Sequence, residues 1–95
     1  MKTPIQSKRL EKMRTQIDQI DRKILVLLSK RFTLAGKIGR LKKELKISVR
    51  QNHRWKSLVV DRVKFAQQIG VSSPFTKKLL NLIHQESIQI QKRSN

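Results

Sequence analysis

Arg31, Lys42, Ser87 and Gln91 are polar residues standing on otherwise apolar helical stripes. Arg31 takes a position where a seven-residue repeat of Leu and Ile asks for another aliphatic side chain. An unpaired buried cation costs several kcal/mol, more than a buried leucine returns, so something must compensate it. Two explanations compete. One is a partner carboxylate, such as Asp18 or Glu86 reached across helices; the other is a pocket in which Arg31 faces an anionic ligand. Lys42 follows three turns later on nearly the same face, about 16 Å along the axis. Two long cationic side chains at that spacing can grip the two ends of a small molecule. Ser87 and Gln91, one turn apart, bring neutral hydrogen-bonding groups to the same interior. Taken singly, each reads better as a bond between helices. Taken together, the set reads as a site for a small dianion. Arg14 is in phase with the same stripe but lies about 25 Å from Arg31 along the helix. The two meet only if Arg14 comes from an antiparallel partner chain.

The elements that must position these groups are helices. Leu10, Ile17, Ile24, Arg31, Ile38 and Leu45 mark one seam. Met13, Ile20, Leu27 with Leu28, Leu34 with Ala35, and Leu41 mark the other. The pattern predicts a helix from about Leu10 to Leu45, roughly 50 Å long, after an N-terminal extension of residues 1–9. Such a stripe is too long to be covered by two short helices, so a second copy of the chain is the expected partner. Residues 46–53 read as a polar connection. A second helix is expected from Arg54 to Ile69, with Trp55, Leu58, Val59, Val63, Ala66 and Ile69 on one face and Gly70 as its left-handed stop. The third is expected to open at Ser73 as N-cap with Pro74 in its first turn. Its stripe is Leu79, Leu80, Ile83, Ser87, Ile90 and Gln91, and residues 92–95 read as a fraying tail. The fold class is all-α: three helices in a single domain over residues 1–95, paired into an intertwined homodimer.

Composition narrows the function classes. The chain carries 23 Lys and Arg against 6 Asp and Glu, a net charge of +17, so most cations have no acid to pair with. That balance points to an anionic partner. Nucleic acid is one candidate, yet the basic residues are spread over all three helices. Aromatics are only 4%, too few for base-stacking platforms, and no zinc-finger spacing occurs. Specific nucleic-acid binding is therefore not expected, and the charges read mainly as a solvated surface that draws in anions. A further class is a non-catalytic helical module that keeps the fold to bind a partner. No alternating run argues for strands. With no cysteine there are no disulfides or thiolate metal sites, and no apolar stretch reaches membrane-spanning length. No signal peptide is read at the N-terminus, and a cytoplasmic protein is expected.

The order of these residues resembles the all-helical chorismate mutases. Met13-Arg14-x-x-Ile17-Asp18-x-Ile20-Asp21, then Ile24-Leu25-x-Leu27-Leu28-x-x-Arg31, is similar to the opening of that family. Ile38-Gly39-x-x-Lys42, Val49-Arg50-x-x-x-Arg54 and Ile83-x-x-x-Ser87-x-x-x-Gln91 continue the likeness to residue 91 without gaps. The resemblance implies an intertwined dimer with two equivalent sites. Each takes Arg14 from one chain and Arg31, Lys42, Arg54, Ser87 and Gln91 from the other, with Gln51 among the substrate-binding positions. It implies the Claisen rearrangement of chorismate to prephenate, a step of aromatic amino acid biosynthesis in the shikimate pathway. That reaction is pericyclic and needs no cofactor or metal. Arg14 and Arg31 would bind the two carboxylates. Lys42 and Gln91 would hydrogen-bond the ether oxygen as negative charge develops there. Arg54 would add positive field, and Ser87 would support a carboxylate.

Two positions depart from the family pattern. Gln51 stands where the family has an aspartate. Trp55 stands where it has the glutamate that contacts the ring hydroxyl of chorismate, and reads as a core residue of the second helix. The related isochorismate-pyruvate lyases, which form salicylate, share Arg14, Arg31, Lys42 and Gln91 and also lack that glutamate. Gly70-x-x-x-Pro74-Phe75 is similar to that branch, whereas Glu86-Ser87-Ile88-x-x-Gln91 is more similar to the mutases. The mutase is the favoured expectation and the lyase the alternative. His53 and His84 show no ligand-type spacing and receive no role.

Overall fold

The computed structural model describes residues 3–93 and is all-α, with no strand among the described residues. Helix α1 spans Pro4–Leu45, α2 Asn52–Gln68 and α3 Ser73–Arg93. The chain divides into two compact units, the division falling between Arg31 and Phe32 within α1. No helix among the described residues is long and apolar enough to cross a membrane.

The N-terminal unit is the first part of α1, and it begins earlier than the seam pattern predicts. Residues 4–9, expected as an extension, are helical because Thr3 and Gln6 form a reciprocal cap. The Gln6 backbone N–H donates to Thr3 Oγ1 at 3.1 Å, and the Thr3 N–H donates to Gln6 Oε1 at 3.0 Å. Pro4, with its fixed φ and missing donor, suits the first helical position. Met1 and Lys2 of the expected extension lie outside the described residues. Both seams stand open to solvent here: Met13, Ile17, Ile20, Ile24 and Leu27 are each at least half exposed.

The C-terminal unit holds the rest of α1 with α2 and α3. Its small core is Ala35, Leu58, Ala66 and Ile88, joined by buried Thr76, Ser87 and Gly39. Small residues on α1 let α3 come close. A Cβ built on Gly39 would stand 2.6 Å from Gln91 Cα and 2.8 Å from its carbonyl oxygen, so only glycine fits without a shift. Ile69, expected on the inner face of α2, is exposed because α2 ends one residue earlier, at Gln68.

Both turns are built from C-caps. Gly70, at φ +85°, ends α2 as expected. The Val71 N–H donates to Ala66 O and the Gly70 N–H to Gln67 O, which satisfies the last carbonyls of the helix. The end of α1 uses the same pattern with a lysine: Lys46 sits at φ +56°, with Ile47 N–H donating to Lys42 O at 2.8 Å. Helix α2 begins at Asn52, two residues before the predicted Arg54. Gln51 takes the N-cap position without a side-chain cap bond. The cap of α3 is Ser72, one residue before the predicted Ser73. Ser72 Oγ accepts from the Phe75 N–H, and its carbonyl accepts from Thr76 Oγ1. Ser73 is already helical, and its hydroxyl accepts instead from Gln67 Nε2 at 2.7 Å, tying α3 to the end of α2. The tail read at residues 92–95 is shorter than expected, since α3 continues through Arg93. Ser94 and Asn95 lie outside the described residues.

Candidate active site

The site is built where α1 and α3 touch. Gly39 admits the α3 backbone at Gln91, and Lys42, one turn further along α1, then reaches across. Its Nζ donates to Gln91 Oε1 at 2.8 Å and to the Val49 carbonyl at 2.9 Å. One ammonium thus ties three segments together: α1, the connection before α2, and α3. Lys42 is half-buried, and this burial pushes its pKa below the ordinary lysine value. The arrangement also sets the amide. Because an ammonium can only donate, Gln91 must present its oxygen to Lys42, which leaves its NH₂ as the group able to donate to a ligand.

Ser87 lies one turn back along α3, on the same side, and is 5% exposed. A further turn back, the His84 ring stacks on Trp55 of α2, with centroids 3.9 Å apart and planes 14° from parallel. The two rings are half-buried, and such a pair adds about 0.5–1.5 kcal/mol beyond its area. Trp55, expected as a core residue of α2, is only half-buried and lies outside the core of Ala35, Leu58, Ala66 and Ile88, because one face of its ring is taken by His84. The contact of His84 with Trp55 is not legible in the sequence, because spacing along one chain does not reveal a partner on another helix.

The other expected residues lie at the surface of the chain. Arg54 and Gln51 are exposed at the start of α2. Arg14 is exposed on the N-terminal unit, where its Nη1 donates to Glu11 at 3.1 Å in a solvated ion pair worth little. Arg31 is exposed there too, so in the single chain its seam position is not the costly burial inferred from the heptad. Of its two suggested carboxylate partners, Glu86 accepts from Arg93 Nη2 at 3.4 Å. No buried side-chain N or O atom among the described residues lacks a hydrogen-bond partner. No group of three His, Asp or Glu among them could hold a metal ion.

The fold is an all-helical one in which a half-buried ammonium on one helix and a neutral amide on another share one hydrogen bond. The chain belongs to the family described as chorismate mutase type II, whose profile matches residues 13–92. It is 31% identical over 78 residues to the T-protein of Enterobacter agglomerans, an alignment covering 82% of this chain and 21% of that protein. It is likewise 31% identical over 80 residues to the bifunctional chorismate mutase/prephenate dehydratase of Buchnera aphidicola. That match covers 84% of this chain and 21% of the relative, so the chain spans about a fifth of the curated relatives it matches. No solved structure matches it significantly.

Proposed function

We propose that this chain catalyses the rearrangement of chorismate to prephenate, within aromatic amino acid biosynthesis. The observation that carries the reading is the Lys42–Gln91 hydrogen bond, in a chain of the chorismate mutase type II family. In the reaction an ether C–O bond breaks as a C–C bond forms, with no proton lost or gained and no covalent enzyme intermediate. The protein's work is to hold the substrate folded and to stabilise charge on the departing oxygen. Lys42 supplies an ammonium poorly shielded by water, and the Gln91 NH₂ supplies a neutral donor beside it. Arg31 and Arg14 bind the carboxylates, Ser87 supports one of them, and Arg54 adds field from the start of α2. Gln51 lies beside Arg54 as a neutral contact.

In this reading the working unit is a homodimer with Arg14 supplied by the partner chain. The open seams of α1 support it, since soluble monomers rarely expose so long an apolar strip.

The test is purified protein given chorismate or isochorismate, with products separated by chromatography and Arg31→Ala as control. The expected result is prephenate from chorismate, with kcat/KM lowered by roughly 30-fold or more in the variant, the scale of one lost charged hydrogen bond. Salicylate and pyruvate from isochorismate, without prephenate, would replace the mutase with the lyase. Silence with both substrates would overturn the enzymatic reading.

A further inference from the structure

The first turn of α2 has little of its own to hold it. Gln51 at the N-cap makes no side-chain cap bond, and the turn contains no acid to offset the helix dipole. It contains His53 and Arg54, neither of which suits that end of a helix. What fixes it is tertiary. Lys42 grips the preceding connection at the Val49 carbonyl, and Trp55 stacks face to face on His84 of α3. His84, Ser87 and Gln91 follow one another at three- and four-residue spacing, which places them along one side of α3. The stack therefore joins α2 to α3 one turn from Ser87 and two turns from the Lys42–Gln91 bond.

We infer that Trp55 and His84 are positioning residues of the site: their stacked rings seat the first turn of α2, and with it Arg54, against the side of α3 that carries Ser87 and Gln91. This rests on the mutase reading for its kinetic consequence, but the seating itself does not depend on any reaction. Neither ring needs to touch the substrate. A flat ring at position 84 that keeps the stack should suffice even without the polar contacts of the imidazole, whereas loss of the ring should leave α2 starting from an unanchored turn.

The experiment compares His84→Ala and His84→Phe with the parent protein in three measurements. These are kcat and KM with chorismate, calorimetric binding of chorismate, and the fluorescence of Trp55, the sole tryptophan of the chain. His84→Ala is expected to shift the Trp55 emission and to lower kcat about tenfold, consistent with a charged group misplaced by a fraction of an ångström. His84→Phe is expected to restore kcat to within about threefold of the parent, as a ring that keeps the stack should. A folded His84→Ala protein with parental kcat and KM would overturn the inference, leaving the stack a purely structural contact. So would a folded His84→Phe protein as impaired as the alanine variant, and this arm decides the matter if the alanine variant does not fold. If the parent binds chorismate without converting it, the mutase reading fails on its own. Calorimetry then decides: weakened binding in His84→Ala with recovery in His84→Phe supports the positioning role, and unchanged binding overturns it.

Discussion

At the scale of single residues, Lys42 is where sequence, burial and chemistry meet. Its place on the apolar face was legible from the stripe, and Gln91 was legible as a polar group facing the same interior, but the bond between the two was not. Its second bond, to the Val49 carbonyl, was not legible, because a backbone acceptor in a connecting segment leaves no mark on residue type. Desolvation lowers its pKa, so the folded chain gives up that proton before the unfolded chain does. Between the lowered value and the ordinary one near about 10.4, the unfolded state binds more protons, and stability rises with pH. The penalty is fully present below the lowered value. The proposed catalysis has the opposite sense, since it would need the charged form. The alkaline limb of kcat/KM is therefore expected below pH ~10.4. Exchange for arginine, which stays charged, should remove that limb from whatever activity remains. A pH–rate profile of the parent and Lys42→Arg checks this, and identical alkaline limbs would contradict it.

At the scale of elements, three helices in the right order were readable from periodicity, and Gly70 was readable as a stop because only a left-handed residue closes that cap. The boundaries differ at both starts and ends, and the larger differences lie at helix starts. Thr3-Pro4-x-Gln6 carries a complete capping signature, yet the seam pattern begins later and drew the boundary to Leu10. Ser72 and Ser73 are chemically equivalent as caps, and only the turn geometry decides between them. Gly39 could be seen in the sequence but not its purpose, which depends on a helix 52 residues away meeting it at Gln91. The closeness of that crossing makes Gly39→Ala informative. The added methyl meets backbone, which cannot rotate aside, so α3 must move. Overpacking of this kind costs about 1–3 kcal/mol. A displacement near 1 Å at Gln91 should lower kcat by roughly 100-fold. Thermal unfolding and steady-state kinetics on the variant read both effects; parental values in each would mean the helices part without consequence.

At the scale of the whole molecule, the open seams of α1 are the feature a single chain leaves unexplained. The heptad was legible from spacing alone, but the identity of whatever covers it is not encoded in spacing. On the proposed reading a second copy would cover equal seams with equal seams and would bring Arg14 to the site. Placing a charge in the seam, as in Ile24→Asp, should shift sedimentation from dimer to monomer and abolish turnover together. A parent protein that sediments as a monomer while fully active would rule this assembly out.

The scarcity of acids has a consequence for how such an assembly responds to its medium. The three ion pairs among the described residues that join Arg14, Arg62 and Arg93 to carboxylates are solvated, and with every acid already counted each chain still carries +17. Two such chains repel as they approach, while a dianion is drawn in. Added salt screens both forces, with a reach of about 8 Å at physiological ionic strength. Ionic strength therefore acts on the two associations in opposite directions. If the protomers pair and turn over chorismate as proposed, salt tightens the pairing and weakens the capture, so turnover at dilute protein and limiting chorismate should pass through a maximum at intermediate salt.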